Sequence, residues 1–333
     1  MLPVKLMKKK FFNTSIIITT YNRSENIFKI INFLQKQICV NKNFEIIISD
    51  SNSNDRLKIR NYTKQFLNLN IVYVNSKVNH QAYKRNFGAK SSSGQNLIFI
   101  DDDCFPDKKF LFNHSNNLRL QKTRAIYCGL VKYIQSKNNH YLIRYRDERL
   151  ITLKNSNANN IPEKNFISMN MAMSKKVLLT NKILFDERFR FYGFEDFEFA
   201  DRYKSKGYII SLSKALIFHK DQRSFDLFLK KYHALAEFGI TDISKINLGA
   251  AKKSIFYKIE KNLFIRLFLN LPFSGIFLQY LEKFLIFIDS KITFYFATLY
   301  KFGIFIAFLI GLRKRFKNLA KHTYLITNNS WYK

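Results

Sequence analysis

The run Leu97-Ile98-Phe99-Ile100-Asp101-Asp102-Asp103 constrains this chain more than any other feature. Its four apolar residues, set off by Gly94, read as a strand buried on both faces, the kind found in parallel sheets. The strand then ends in three consecutive carboxylates. In an open α/β sheet, ligands bind just beyond the carboxyl ends of the strands. Three acids there repel one another unless a cation lies among them. Hard oxygen ligands favour Mg²⁺ or Mn²⁺, ions that commonly arrive with a phosphate-bearing substrate. The plainer reading is a solvated loop in which an Asp caps the helix after Pro106.

The preceding hundred residues supply the rest of such a sheet. Residues 15–20 read as a first buried strand, with Ser24 placed to cap a helix through Phe28, Ile31 and Leu34. Phe44–Asp50 reads as a second strand ending in an acid, followed by a polar loop and a helix over about 56–67. Residues 70–74 form a third, and 80–90 a helix that Ser91–Gly94 ends. Strand–helix alternation of this kind predicts a mostly parallel, Rossmann-like sheet with helices on both faces. Residues 155–160 read as a mobile polar loop, and helices dominate from about 225 onward.

The net charge of +32 points to an anionic partner, either nucleic acid or a membrane surface. No basic motif of the known nucleic-acid readers is present, so nucleic acid is not expected. Part of the excess fits a Lys-, Asn-, Ile- and Phe-rich composition of the kind an A+T-rich genome produces. Cys39, Cys104 and Cys128 are too few and too scattered for a disulfide framework or a zinc site, and fit a reducing compartment. The first residues lead through Lys8–Lys10 into a strand without the apolar core of a signal peptide.

Six short motifs now stand in order: SIIITTYNR at 15–23, EIIISD at 45–50, KRNFG at 84–88, IFIDDD at 98–103, FYGFED at 191–196, and His219. In this order and spacing the chain resembles the family 2 glycosyltransferases over residues 13–235. The resemblance implies a GT-A fold and a nucleoside-diphosphate sugar donor, a UDP-sugar in the first instance, with Mn²⁺ or Mg²⁺ as cofactor. It implies that Thr19, Tyr21 and Arg23 hold base and ribose, and that Asp50 accepts the imide proton of a uracil-like base. Arg85, beside Lys84, is implied near the diphosphate. Asp101 is implied at the ribose, Asp103 as a metal ligand and Asp102 at either. His219 completes the metal site, and Asn170 lies beneath the donor sugar. Asp196 is implied as the base that takes the acceptor's proton, and Glu195 as the residue that orients the acceptor. Gly193 permits an unusual backbone angle or the close approach of a sugar. Tyr192 and Phe194 stand where a related subset carries Trp and a second Gly, which leaves the acceptor sugar open.

The composition changes after residue 240, giving an expected catalytic domain over 1–240 and a helical, Phe-rich, basic region over 241–333. Ile292–Leu312 carries one charge, Lys301, and is long enough to span a bilayer. Leu263–Ile288 is nearly as apolar, and the basic cluster Arg313–Lys317 follows. A shallow hairpin or amphipathic helices lying on an anionic membrane fit this pattern, as does a helical cap on the catalytic domain. The expectation is an inverting glycosyltransferase on the cytoplasmic side of the inner membrane, acting on a glycan or lipid-linked acceptor in surface polysaccharide synthesis. Two other readings use the same residues: a nucleotidyl- or phosphosugar transferase, and a catalytically silent nucleotide-sugar-binding protein.

Overall fold

The computed structural model describes residues 13–317 apart from 39–42, 121–124, 135–139, 155–159, 181–182, 190, 192 and 222. Cys39, Tyr192 and all but the last residue of the expected 155–160 loop therefore lie outside the described residues. The first half alternates as the sequence predicts: β1 (Thr14–Thr20), α1 (Ser24–Gln35), β2 (Phe44–Asp50), α2 (Arg56–Thr63), β3 (Asn70–Asn75), α3 (Gln81–Ser91) and β4 (Asn96–Asp101). Then come β5 (Cys104–Pro106), α4 (Phe110–Leu120), β6 (Ala125–Tyr133), α5 (His140–Lys154), β7 (Asn170–Ser174), α6 (Lys175–Thr180), α7 (Glu195–Ser205) and β8 (Ile209–His219).

The strands form one sheet in the order β3-β2-β1-β4-β7-β6-β8-β5. β1, β2, β3 and β4 pair in parallel. β7 runs antiparallel between β4 and β6, β8 is parallel to β6, and β5 is antiparallel to β8. Every residue of β1 and β2 is buried, as continuous apolar strands in a two-sided sheet require. Ile16, Ile18, Ile46 and Ile48 pack on one face, and Ile17 and Ile47 on the other. The parallel register puts Thr19 and Thr20 level with Asp101 and Asp50, so β1, β2 and β4 all end at one rim. Ser24 does not cap α1 with its side chain; its backbone N–H instead donates to Asp55 Oδ2, from the loop after β2, at 2.9 Å.

The carboxy-terminal third is helical: α8 (Phe225–Ala234), a π-helical turn over Leu235–Gly239, α9 (Ile240–Ile246), α10 (Leu248–Lys253), α11 (Ile255–Lys261), α12 (Leu263–Asn270), α13 (Ser274–Lys291) and α14 (Ala297–Phe316). One apolar core joins both sides of the boundary expected near 240. Leu142, Tyr145, Phe225 and Phe228 share it with Leu269, Leu285, Tyr300 and Phe308. α14 approaches α8 closely: a Cβ on Gly311 would lie 2.3 Å from the His233 carbonyl oxygen. Ile292–Leu312 is therefore not one spanning segment. α13 ends before it, and most of α14 is buried inside the bundle. Among the described residues no single helix is long and apolar enough to cross a membrane, although α12 and α13 together, bent by 99°, meet the length and composition.

A buried polar pair under the sheet corrects the reading of Asn170. Its side chain is fully buried, and its Nδ2 donates to the Leu130 and Ala215 carbonyls at 2.8 and 3.0 Å. The β6–β8 register shifts between Cys128 and Leu130, and the amide satisfies backbone oxygens beside that irregularity. Asn170 Oδ1 lies 2.8 Å from His114 Nε2, which therefore carries the proton and donates. His114 Nδ1 is buried with no hydrogen-bond partner among the described residues. A second proton there would have no acceptor, and burial pushes the imidazole down to about 4. The folded state thus holds His114 neutral where the unfolded chain protonates it, and stability rises with pH across that interval. Acidification from pH 6.5 to about 4 should therefore cost on the order of 3 kcal/mol through this side chain. Urea midpoints measured against pH should fall more steeply for the wild type than for His114→Gln. Parallel curves would contradict the assignment.

Candidate active site

A cleft of ≈ 350 Å³ opens at the rim where β1 and β4 end. Its lining includes Thr19, Tyr21, Arg85, Asp101, Asp102, Asp103, Glu195, Asp196 and His219. Nine of the expected site residues thus meet in one place, although more than a hundred positions separate the first from the last. Arg23 and Asp50 are not part of the lining.

The carboxylates at the end of β4 are balanced by the protein's own cations. Arg23 Nη1 contacts Asp102 Oδ1 at 2.7 Å and Asp103 Oδ2 at 3.2 Å. Arg23 therefore engages the acids at the end of β4. Thr20 Oγ1 donates to Asp102 Oδ2 at 2.9 Å. Burial pushes Asp102 up to about 6 against the pull of Arg23. Burial would raise Asp103 as well, but His219 and Arg23 hold it below the ordinary carboxylate range. Gln81 and Arg85 donate to Asp101 Oδ1 at 2.8 and 2.9 Å.

Asp50 is fully buried beside the cleft rather than in it. It accepts from the Ser51 N–H at 2.8 Å, the Ser53 hydroxyl at 2.6 Å and the Tyr73 hydroxyl at 2.5 Å. These bonds organise the loop after β2, which is the turn chemistry open to an Asp at a strand end.

Arg85 links the two acidic groups. α3 packs against β1 and β2 through Gly88, where a Cβ would lie 2.6 Å from Ile17 Cγ2, and this carries the Arg85 side chain into the cleft floor. Its Nη2 contacts Asp101 at 2.9 Å and its Nη1 lies 3.7 Å from Asp196 Oδ1. The guanidinium stacks 5.2 Å from the Phe185 ring centroid. Burial would lower Arg85, but Asp101 and Asp196 outweigh it and raise it. Its Nε and Nη1 are buried without a hydrogen-bond partner among the described residues.

Glu195 and Asp196 open α7, where the helix dipole favours negative charge. The turn before them needs two positive φ angles, 103° at Gly193 and 68° at Phe194. A Cβ on Gly193 would also strike Leu235 Cδ1 at 2.1 Å, so the close approach there comes from the π-helical turn. The Gly193 N–H donates to Glu195 Oε2 at 2.9 Å. Ser168 donates to Asp196 twice, from its hydroxyl at 2.5 Å and its backbone N–H at 3.1 Å. Burial pushes both acids up; with Asp196 beside it, Glu195 reaches about 7.

Asp103 Oδ1 and His219 Nε2 stand 3.1 Å apart, brought together because Cys104 pairs with His219 across β5 and β8. Adjacent ligands of a small divalent ion at about 2.1 Å need a spacing close to that. Cys104 Sγ belongs to the same cluster. Burial and the carboxylates push its thiol well up, and soft sulfur suits Mg²⁺ or Mn²⁺ poorly. One carboxylate and one imidazole suit Mg²⁺ or Mn²⁺ when phosphate oxygens complete the set.

Several lining residues were not legible as site residues. Beyond His219, Arg146 and Arg223 pair with Asp221, with Lys231 at 3.9 Å from it. Burial would raise Asp221, but its salt bridges with Arg223 and Arg146 hold it far below the usual range. All three cations line the cleft. The only local signal was the alternation His219-x-Asp221-x-Arg223, which is weak in a Lys-rich chain.

Residues 15–180 match glycosyl transferase family 2. The glycosyltransferase AglE of Haloferax volcanii is 34% identical over 99 residues, 29% of this chain and 32% of that protein. The poly(ribitol-phosphate) beta-N-acetylglucosaminyltransferase TarS of Staphylococcus aureus is 27% identical over 120 residues, 34% of this chain and 21% of that one. The matched stretch thus spans about a third of the first relative and a fifth of the second. Among solved structures, the mannosyltransferase PcManGT of Pyrobaculum calidifontis, in complex with GDP-Man and Mn²⁺, superposes with a TM-score of 0.59 at 17% identity. That likeness covers 93% of this chain and 88% of that one, so the sheet and the helices after it share the GT-A-type fold. The chain belongs to glycosyl transferase family 2.

Proposed function

We propose that the chain moves a sugar from a nucleoside-diphosphate sugar to a hydroxyl of a glycan or lipid-linked acceptor, with inversion, on the cytoplasmic side of a membrane. The observation that carries this reading is the pair of acidic groups on opposite sides of Arg85 in one sugar-sized cleft. One group suits an ion and a diphosphate, and the other suits a proton acceptor. The TarS relative glycosylates a phosphate polymer by its name, which agrees with a role in surface polysaccharide synthesis. The mannosyltransferase of like fold carries a nucleotide sugar and Mn²⁺. The buried thiols Cys104 and Cys128 are unpaired, as in a reducing compartment.

Asp103 and His219 would hold Mn²⁺ or Mg²⁺. When bound, such an ion neutralises charge on the diphosphate as a Lewis acid. Arg85 lines the cleft beside Asp101 and would bind the leaving diphosphate. Ser168 fixes the Asp196 carboxylate from one side, which leaves lone pairs for the acceptor. Asp196 takes the acceptor proton while the acceptor oxygen bonds to the anomeric carbon. The bond from that carbon to the diphosphate breaks, and its electron pair leaves with the diphosphate. Attack opposite the leaving group inverts the centre. A carboxylate raised by burial is the better base near neutral pH.

Asp196→Asn should lower turnover about 10²-fold or more while donor binding holds. The wild-type rate should rise with pH through an ionisation above the ordinary carboxylate range, because the base must lose its proton, and the variant should lack that limb. Equal loss of donor affinity would make Asp196 a structural residue.

Asp103→Ala should remove Mn²⁺ binding as read by calorimetry and abolish turnover, and EDTA should silence the wild type. Full activity in EDTA would sink the metal assignment. Arg85→Gln should weaken donor binding and cost roughly 2–3 kcal/mol of stability, less than for a fully buried pair because both carboxylates are partly exposed. An unchanged melting temperature would show that the acids do not depend on it.

A further inference from the structure

The large apolar side chains left on the surface are not scattered. Among the described residues most lie between residues 255 and 302, on α11, α12, α13, the turns beside them and the start of α14. Phe264 is 81% exposed and Tyr280 70%. On α13, Ile276, Tyr280, Phe284 and Phe287 recur at helical spacing and share one outward face. The opposite face of the same helix buries Leu278 and Leu285 against the body. A helix apolar on both sides expects a second apolar surface.

The charges around this face have one sign. Every exposed charged side chain from 252 to 302 is a lysine or arginine, including Lys258, Lys261, Arg266, Lys283, Lys291 and Lys301. The three acids of the stretch turn inward. Glu260 accepts from Arg315 at 2.7 Å, Glu282 pairs with His233 at 2.7 Å, and Asp289 accepts from the Tyr300 hydroxyl at 2.6 Å. The outer surface therefore offers aromatic rings and cations together, the chemistry that acyl chains and anionic headgroups complement. Arg313 and Arg315, expected at the headgroups, instead donate to Ser274 and Glu260 in the bundle.

The face is also tied to the cleft. Phe256, next to exposed Ile255, packs 6.3 Å from Phe194, the lining residue before Glu195. We infer that the outer face of α11–α13 lies on an anionic bilayer and holds the Glu195–Asp196 side of the cleft toward an acceptor tethered in that membrane. The clause on the acceptor rests on the glycosyl-transfer reading; the docking itself does not.

Cosedimentation of the full chain with vesicles, without donor, tests it. Phosphatidylcholine vesicles are compared with vesicles that also contain phosphatidylglycerol. The wild type should bind the anionic vesicles at least about ten-fold more tightly than the neutral ones. Phe264→Ser/Tyr280→Ser/Phe284→Ser, and separately Lys258→Glu/Lys261→Glu/Lys283→Glu/Lys291→Glu, should each lose ten-fold or more of that affinity. Their melting temperatures and vesicle-free donor hydrolysis should match the wild type. Failure of the wild type to bind, or equal binding by both variants, would overturn the inference. So would a vesicle-blind wild type that self-associates through this face and is made monomeric by the serine substitutions. Loss of donor hydrolysis in every protein with vesicle binding intact would instead count against the glycosyl-transfer reading alone.

Discussion

Arg85 sits between carboxylates supplied by two different halves of the sheet, and the site depends on it. Asp101 ends a strand of the parallel half, and Asp196 opens a helix that leads into the mixed half. Burying acids this close together is unfavourable unless a cation is shared and its remaining donors have a use. The guanidinium keeps its charge at any accessible pH. Its Nε and Nη1 also have no hydrogen-bond acceptor among the described residues. A protein that needed only stability would satisfy those donors or remove the charges. Buried donors left unsatisfied beside a cleft fit the proposed contact of Arg85 with an anionic group.

The helical bundle contributes to this site from a distance. Leu235 fills the space that Gly193 leaves, and Leu235 begins the π-helical turn packed against α14. The turn that aims Glu195 and Asp196 is therefore held by the same core that buries α14. A truncation that removed the last helices would expose this core rather than release an intact catalytic unit. The bundle has two roles: its inner faces brace the acidic turn, and its outer face carries the exposed rings.

What was legible in the sequence follows the range of the interactions. The strand Leu97–Ile100 running into three acids could be read because strand burial and position at the sheet rim are local patterns. Glu195 and Asp196 could be read because a Gly, aromatic residues and two acids stand together. The salt bridges of Arg23 could not be read, because its direction depends on carboxylates some eighty residues away. Asn170 was misplaced because an irregularity in a neighbouring strand claims its amide. Arg146, Arg223 and Lys231 carried no signal, since one more cation means little in a chain of net charge +32. Hydropathy alone could not separate α14, a buried core helix, from a membrane span.

The account turns on the claim that this cleft breaks the bond between a sugar and a nucleoside diphosphate. The most direct measurement incubates the protein with a panel of nucleotide sugars, a divalent cation and candidate hydroxyl acceptors, and follows both products by NMR. The account predicts release of a nucleoside diphosphate and a new glycosidic bond with inverted anomeric configuration. Release of pyrophosphate or a sugar phosphate, or retention of configuration, would contradict it.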